Sequence, residues 1–301
     1  MAQQIPLPPE ASALEPALDA ARNDRTHEVV PDVAYRRLGI VNVMFYGPSR
    51  AGDRQWALID AGLPGTRGMI ASAAAERFGA QARPAAIIMT HGHFDHVGAL
   101  ADLAEQWDAP VYAHRLELPY LSGRAAYPPG DPTVGGGLMA ALARLYPRGP
   151  VNVGARLQAL PDDGTVPGMP GWRWIHTPGH SVGHVSVWRA TDRTLIVGDA
   201  FVTTAQESAY AVAVQRAEMH GPPMYYTVEW DKARASVQWL AELEPEVVIT
   251  GHGLPMRGPE MRTALRRLAS GFDRIAVPKS GRYLQTPARA EDGSAYCVPG
   301  S

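Results

Sequence analysis

The sequence predicts an α/β (α+β) fold made of two mixed β/α halves, because strand-like apolar runs occur in two sets, each with a helix-like stretch. The first set comprises residues 33–45, 55–60 and 85–90, followed by a helix-like stretch at 97–107. The second set comprises residues 172–176, 185–189, 194–198 and 246–250, with a helix-like stretch at 228–243. A chain of 301 residues with 46% hydrophobic residues can bury a large core around these elements.

The later helix-like stretch has apolar residues every three to four positions, as on the buried face of a helix. These residues are Trp230, Ala233, Val237 and Leu240. Thr227 is placed to cap the start of this helix and Pro245 to end it. We also expect a helix at about 259–272, near the end of the chain.

The domain boundaries follow from composition. Residues 1–26 contain four prolines followed by a polar stretch, which is typical of a tail or an arm laid on the surface. Residues 27–301 are expected to form a single domain. Its segment 115–170 is rich in Pro, Gly and Tyr, and either this segment or residues 201–226 could cover a site as a lid. Both could equally be packed connections with their own local core.

Residues 90–98 read Thr-His-Gly-His-Phe-Asp-His-Val-Gly and directly follow an apolar run. Three imidazoles (His91, His93 and His96) and the carboxylate of Asp95 therefore fall within six positions. Alternate residues of an extended segment point the same way, so His91, His93 and Asp95 can converge while His96 turns to a neighbouring point. So many ionisable groups in one turn would repel one another without a cation, and we predict metal binding.

One loop cannot complete two coordination spheres, so other segments must supply ligands. Three further motifs follow β-rich runs and place a polar donor beside glycine at the end of a strand. These are Thr-Pro-Gly-His ending at His180, Val-Gly-Asp ending at Asp199, and Thr-Gly-His-Gly containing His252.

Together these motifs resemble the metallo-β-lactamase superfamily, whose HxHxDH signature stands here at 91–96, and the resemblance spans about residues 33–255. It implies a four-layer αβ/βα sandwich with the metals at one edge. It also implies a first metal held by His91, His93 and His180, a second held by Asp95, His96 and His252, and a bridging Asp199. Asp60 resembles a residue that the family uses behind the metal loop. His184 is expected to orient a loop or begin a strand.

The predicted cofactors are two divalent metal ions. Imidazole and carboxylate donors without thiolate suit Zn²⁺, our first choice, but Fe²⁺ and Mn²⁺ also fit. Such ions supply hydroxide at neutral pH and polarise the oxygen under attack. We therefore predict a dinuclear metal-dependent hydrolase using a metal-bridging hydroxide, with Asp95 as a ligand that also transfers protons.

We expect an ester, thioester or lactone as the small-molecule substrate. The bridging Asp199 differs from the Cys or Ser of true β-lactamases, and glyoxalase II enzymes carry a larger basic C-terminal region than the 49 residues after His252. Three alternatives stay open. They are a mono-iron persulfide-dioxygenase-type oxidoreductase, a β-lactamase-like amide hydrolase, and a non-catalytic metal-binding sensor.

Charge and composition limit the partners. A formal net charge of −2 provides no basic field for nucleic acid or anionic lipid, so neither partner is predicted. The single cysteine, Cys297, excludes an intramolecular disulfide and a thiolate cluster. Without a signal-like start or a long apolar stretch, we expect a cytoplasmic protein. The sequence does not predict the oligomeric state.

Overall fold

The computed structural model describes residues 5–12, 26–135, 137–208, 210 and 216–300. Its strands form three sheets. In chain order they are β1 (Ile5–Pro6), β2 (His27–Val30), β3 (Val33–Leu38), β4 (Val41–Tyr46), β5 (Ala57–Ile59), β6 (Ala86–Ile88), β7 (Val111–Ala113), β8 (Leu157–Ala159), β9 (Arg173–His176), β10 (Val185–Arg189), β11 (Thr194–Gly198), β12 (Glu218–Met219), β13 (Val247–Thr250) and β14 (Met256–Arg257).

The helices lie between and after these strands. They are α1 (Arg67–Phe78), α2 (Phe94–Val97), α3 (Leu100–Trp107), α4 (Leu118–Leu121), α5 (Leu138–Ala141), α6 (Trp230–Glu242), α7 (Gly258–Ser270), α8 (Phe272–Ile275) and α9 (Arg282–Gln285). Short 3₁₀ turns occur at Pro9–Ala11, Ala143–Leu145, Gly154–Arg156 and Met224–Tyr226.

The two larger sheets contain both parallel and antiparallel strands. The seven-stranded sheet has the order β2-β3-β4-β5-β6-β7-β8; it is antiparallel as far as β5 and parallel from β5 to β8. The five-stranded sheet has the order β14-β13-β11-β10-β9, and only its central pair, β11 and β13, is parallel. Parallel pairs leave strand ends side by side, which brings the loops after them together.

The central strands are apolar on both faces, because each sheet is covered on both sides. Leu58 of β5 packs against α1 and α3 in one core, while its neighbour Ile59 packs against the facing sheet. In the second sheet, Val248 of β13 packs against α6 and α7, and its neighbour Ile249 packs against the first sheet. The result is the order helices, sheet, sheet, helices, which confirms the four-layer αβ/βα sandwich.

Several boundaries differ from the expected ones. The run 33–45 is two strands, β3 and β4, because Gly39 turns the chain with a φ of 67°. The helix expected at 97–107 begins at Leu100, after the separate turn α2. The helix expected at 259–272 is observed as α7, Gly258–Ser270. The prediction that Thr227 caps α6 was wrong: the helix starts after Glu229, and the Thr227 hydroxyl donates to the carbonyl of Pro223 instead.

Part of the proline-rich N-terminal segment packs on the domain. β1 pairs with β12 through Ile5 and Met219, and Ser12 bridges to Met256. Residues 1–4 and 13–25 of the expected tail lie outside the described residues. Within the described part of the chain, no helix has both the length and the apolar character needed to cross a bilayer.

Candidate metal centre

The seven side chains singled out in the sequence meet at one edge of the sandwich. The 91–96 loop follows β6 of the seven-stranded sheet, whereas His180, Asp199 and His252 follow β9, β11 and β13 of the five-stranded sheet. All seven residues are at most 4% exposed. Both sheets therefore contribute polar side chains to one buried cluster, and all of these side chains lie in segments that follow a strand.

Ligand-type atoms of this cluster form three overlapping groups that can hold a metal ion, each with its atoms within 4.8 Å of one another. The groups are His91, His93 and His180; His91, His96 and Asp199; and Asp95, His96 and His252. The alternation argument therefore holds for His91 and His93 but not for Asp95. The chain stays extended through His93 and turns helical at α2, so Asp95 joins the other group.

Asp199 lies between the two outer groups. Its Oδ2 atom is 3.1 Å from Nε2 of His252, 3.5 Å from Nε2 of His180 and 3.6 Å from Nε2 of His96. The Oδ2 atom of Asp95 is 3.4 Å from the same Nε2 of His252. One carboxylate thus faces imidazoles of both groups at once.

Neighbouring groups fix the orientation of the histidine rings in the 91–96 loop. Thr90 donates its hydroxyl to Oδ2 of Asp60 at 2.8 Å, so its oxygen accepts from Nδ1–H of His91 at 3.0 Å. His96 donates Nδ1–H to the same Asp60 at 2.8 Å. With Nδ1 bound in this way, each ring turns its Nε2 atom toward the cluster.

The rings of His180 and His252 are held in the same way, through Nδ1. The Thr227 hydroxyl donates to the Pro223 carbonyl, so its oxygen accepts from Nδ1–H of His180 at 3.3 Å. His252 donates Nδ1–H to the carbonyl of Ile40 at 2.6 Å. His93 is the exception, because its Nδ1 atom faces Nε2 of His180 at 3.0 Å.

Protonation equilibria divide the cluster into two parts. Burial and the neighbouring imidazoles lower the pKa of His91 and His93 well below the usual value. Burial also lowers the pKa of His180 to about 4. These three rings are neutral near pH 7, which is the form that ligates metals.

The imidazoles next to the carboxylates behave differently. Burial opposes a charge on His96, but Asp199, Asp60 and Asp95 outweigh it and raise its pKa well above the usual value. Burial opposes a charge on Asp199 too, yet His252 and His96 hold its pKa well below the ordinary range. These carboxylates attract positive charge, which protons or a bound cation can provide.

Three buried atoms of the cluster have no hydrogen-bond partner among the described residues: Nε2 of His91, Nε2 of His96 and Oδ1 of Asp199. Leaving such atoms unpaired costs roughly 1–3 kcal/mol each. Nitrogen and carboxylate donors without thiolate are suited to Zn²⁺, Fe²⁺ and Mn²⁺. The residues present therefore fit divalent metal ions.

Two glycines allow the loops to approach this closely. A Cβ atom on Gly251 would lie 2.1 Å from Oδ1 of Asp199, and one on Gly198 would lie 2.5 Å from Nε2 of His184. Gly198 also has a φ of 62°. Any larger residue at either position would push the Asp199 or His252 loop out of place.

His184 and Asp60 lie behind the cluster. Nε2 of His184 accepts the backbone N–H of Asp199 at 2.8 Å, and its Nδ1–H donates to Thr177 at 2.9 Å. With both nitrogens engaged, His184 orients the Asp199 loop, as expected. Asp60 accepts from His96 and from the backbone N–H of Thr90, which confirms that it lies behind the metal loop.

Sequence reasoning missed Glu117, which is fully buried beside the cluster. Its carboxylate accepts from Gly92 at 3.0 Å, from Gly183 at 2.9 Å and from the hydroxyl of Ser181 at 2.8 Å. Burial, against these hydrogen bonds, raises its pKa. No motif marks Glu117, because its partners are distant in sequence and mostly backbone groups.

Aromatic residues from both expected lid segments cover the 91–96 loop. The ring of Tyr226 stacks on His93 with centroids 4.5 Å apart, and Tyr127 contacts the same imidazole at 4.4 Å. Tyr146 stacks on Phe94 at 5.2 Å. The segments 115–170 and 201–226 therefore both contact the cluster.

Comparisons with known proteins agree with this geometry. The family model of the metallo-beta-lactamase superfamily matches residues 36–252. The probable metallo-hydrolase YflN of Bacillus subtilis (strain 168) is 43% identical over 259 residues, which are 86% of this chain and 97% of that protein.

Solved structures of low sequence identity share the fold. A beta-lactamase domain protein from Burkholderia ambifaria has a TM-score of 0.58 at 20% identity, covering 84% of this chain and 74% of that one. A metallo-beta-lactamase family protein from Thermus thermophilus has a TM-score of 0.55 at 22% identity, covering 82% of this chain and 81% of that one.

The chain belongs to the metallo-beta-lactamase superfamily. Within it, the buried His/Asp cluster and the similarity to a metallo-hydrolase define an enzyme, a metal-dependent hydrolase.

Proposed function

We propose that the enzyme is a dinuclear hydrolase of carboxylic-acid derivatives: esters, thioesters or lactones. In this proposal the first metal is held by His91, His93 and His180. The second is held by Asp95, His96 and His252, and Asp199 lies between the two.

The observation that carries the proposal is the position of Asp199 Oδ2. It lies within 3.6 Å of imidazoles from both three-residue groups. A single metal would need only one of these groups, and the second group would then bury Asp95, His96 and His252 without a function for them. Burying so many ionisable groups in one cluster is costly, so two cations account better for the complete set.

Two divalent ions held in these positions would supply hydroxide near neutral pH and polarise the carbonyl oxygen under attack. Residues of the chain would transfer protons and restrict the access of water. Asp95 is buried next to His252 and beside the aromatic cover, so it can hold a proton during the reaction and pass it to the leaving group. Tyr127, Tyr146 and Tyr226 limit the access of water from that side.

The surroundings of the cluster support a small organic substrate. Aromatic walls with few polar anchors are common in pockets for such ligands. Arg262 and Arg266 of α7, which could have anchored an anionic group, pair with Glu246 and Glu244 on the outer layer. This pairing argues against a glutathione-like or nucleic-acid substrate held by that helix.

The test is a metal analysis combined with a substrate panel. Protein purified without added metal is analysed for metals and then assayed with esters, thioesters, lactones, β-lactams and phosphodiesters. We expect two metals per chain after saturation with Zn²⁺, and kcat/KM for one carboxylic derivative at least tenfold above that for β-lactams and phosphodiesters.

Asp199→Asn, purified in the same way, controls for contaminating hydrolases, because it keeps the shape of the side chain and removes its charge. Faster cleavage of phosphodiesters than of every carboxylic derivative would overturn the substrate class. One iron per chain with oxygen consumption on a persulfide would replace the hydrolase by the dioxygenase alternative.

A further inference from the structure

The carboxylate of Glu117 joins the two loops that carry His91, His93 and His180. One oxygen, Oε2, accepts the backbone N–H of Gly92 at 3.0 Å. The other, Oε1, accepts the backbone N–H of Gly183 at 2.9 Å and the hydroxyl of Ser181 at 2.8 Å. Gly92 lies between His91 and His93, and Ser181 directly follows His180.

The two loops bring imidazoles from different parts of the chain close together. The 91–96 loop follows one sheet and His180 follows the other, so no strand pairing among the described residues joins them. The nearest backbone link is the N–H of Val185, which donates to the carbonyl of Thr90 at 2.9 Å. Nδ1 of His93 nevertheless lies 3.0 Å from Nε2 of His180. A single carboxylate accepts hydrogen bonds from both loops, and hydrogen bonds to a charged acceptor are roughly twice as strong as neutral ones.

An aromatic layer holds Glu117 in place. The hydroxyl of Tyr127 donates to Oε2 of Glu117 and accepts the N–H of Gly92 at 2.8 Å. Its ring stacks on Tyr120 with centroids 3.7 Å apart, and the Tyr120 hydroxyl donates to the carbonyl of Ala295 at 2.8 Å. The C-terminal segment is thereby tied to the same carboxylate.

We propose that Glu117 is a positioning residue of the first metal site: its carboxylate holds the 91–96 loop and the His180 loop at the spacing that three-imidazole coordination needs. The inference rests on the ligand assignment proposed above. It predicts that loss of the carboxylate weakens metal binding by His91, His93 and His180, while Asp95, His96 and His252 keep their metal.

Glu117→Gln is the informative variant, because glutamine has the same size but only one acceptor oxygen. Whichever way the amide is oriented, its NH₂ group faces an N–H donor, that of Gly92 or that of Gly183. In either orientation, one loop loses its direct backbone hydrogen bond to this side chain.

The experiment measures Zn²⁺ affinity by competition with a chromogenic chelator, and the visible absorption of the Co²⁺-loaded protein. For Glu117→Gln we expect a roughly 10–100-fold loss of affinity at one of two sites and an altered Co²⁺ spectrum, since outer partners of ligands typically have effects of this size. Hydrolysis, where it is measured, should lose kcat more than it raises KM.

Asp131→Asn is the matched control. Asp131 is another buried carboxylate, but it binds Thr133 and the backbone N–H of Arg282, away from the cluster. The Asp131→Asn substitution should lower the melting temperature of the protein and leave both Zn²⁺ affinities and the Co²⁺ spectrum unchanged.

Two further variants, Tyr127→Phe and Ser181→Ala, each remove one hydrogen-bond donor and keep the carboxylate. They replace Glu117→Gln in the experiment if that variant does not fold. Each should weaken one Zn²⁺ site several-fold. Unchanged Zn²⁺ affinity in the folded variants, or an equal loss in Asp131→Asn, would overturn the positioning role. If the parent chain itself binds no Zn²⁺, the ligand assignment of the proposed function fails instead.

Discussion

The Nδ1 atom of His96 lies 2.8 Å from Oδ2 of Asp60, and both side chains are fully buried. Asp60 has a φ of 60°, in the left-handed region that aspartate and asparagine tolerate better than most residues. The same carboxylate accepts the backbone N–H and the hydroxyl of Thr90. Asp60 therefore orients the His96 ring and the start of the metal loop together.

Replacing Asp60 by asparagine should weaken one metal site without unfolding the protein. Asparagine tolerates the left-handed backbone, so the turn at this position is kept. Its NH₂ group must face one of the donors that the carboxylate accepts, and the neutral amide no longer increases the basicity of His96. We expect a roughly 10–100-fold loss of affinity for one Zn²⁺ per chain, measured by chelator competition. Asp60→Ala should show the same metal defect together with a lower melting temperature. An unchanged Zn²⁺ affinity in Asp60→Asn would contradict this role.

Asp95→Asn should separate proton transfer from ligation. Because His91, His93 and His180 form their own group, the variant should keep at least one metal per chain. We expect kcat to fall about 10²–10⁴-fold, the usual contribution of a positioned proton-transfer group. Metal content and kcat are measured on the same preparation. If excess Zn²⁺ restored full activity, Asp95 would act only as a ligand.

The sequence indicated which donors come together in the cluster, because most of them are local. His91, His93, Asp95 and His96 fall in one short loop, and the remaining donors follow strands beside glycines. Such patterns can be recognised in the sequence, because adjacent residues determine both the side-chain chemistry and the turn.

Glu117 and Thr227, unlike Asp60 and His184, could not be recognised as supporting groups, for the opposite reason. Glu117 binds Gly92 and Gly183, which are 25 and 66 positions away, through backbone groups that every sequence has. Thr227 precedes a helix and resembled a cap, but tertiary packing directs its hydroxyl to Pro223 and His180. Local rules describe isolated helices, and a buried polar partner can override them.

The stacked pair His114 and His176 predicts an acid-sensitive part of the fold. Their rings lie 4.1 Å apart, and burial, then His176 and Arg115, lowers the pKa of His114 from 6.5 to about 3. The folded state therefore favours neutral His114. Its stabilising contribution is complete above about pH 6.5 and is lost as the pH falls toward 3, because the unfolded chain takes up the proton first.

His114→Asn removes this titration and retains an acceptor for the N–H of Leu116, which Nδ1 of His114 accepts at 3.3 Å. From pH 7.5 to pH 5, the parent should lose about 1–2 kcal/mol more unfolding free energy than the variant. Urea unfolding at both pH values measures this difference. The metal-site histidines are the same in the parent and the variant, so their titration cancels when the two are compared. Parallel losses in the two proteins would show that His114 does not contribute.

The hydroxyl of Tyr226 is buried and has no hydrogen-bond partner among the described residues, although its ring stacks on His93. Burial and the nearby Asp95 raise its pKa, so it stays protonated and can donate a hydrogen bond. A buried donor without a partner beside the reaction centre is available to an oxygen of the substrate.

Tyr226→Phe should therefore leave the Zn²⁺ content and the melting temperature unchanged, because no hydrogen bond of the free protein is lost. It should lower kcat/KM for the best carboxylic substrate about 5–10-fold, equivalent to one neutral hydrogen bond of roughly 1 kcal/mol. Tyr283→Phe is the opposite control: its hydroxyl donates to the Pro129 carbonyl at 2.5 Å, so its loss should lower the melting temperature and spare kcat/KM. If Tyr226→Phe retained full kcat/KM on every substrate that the parent cleaves, the hydroxyl would have no contact with the reacting molecule.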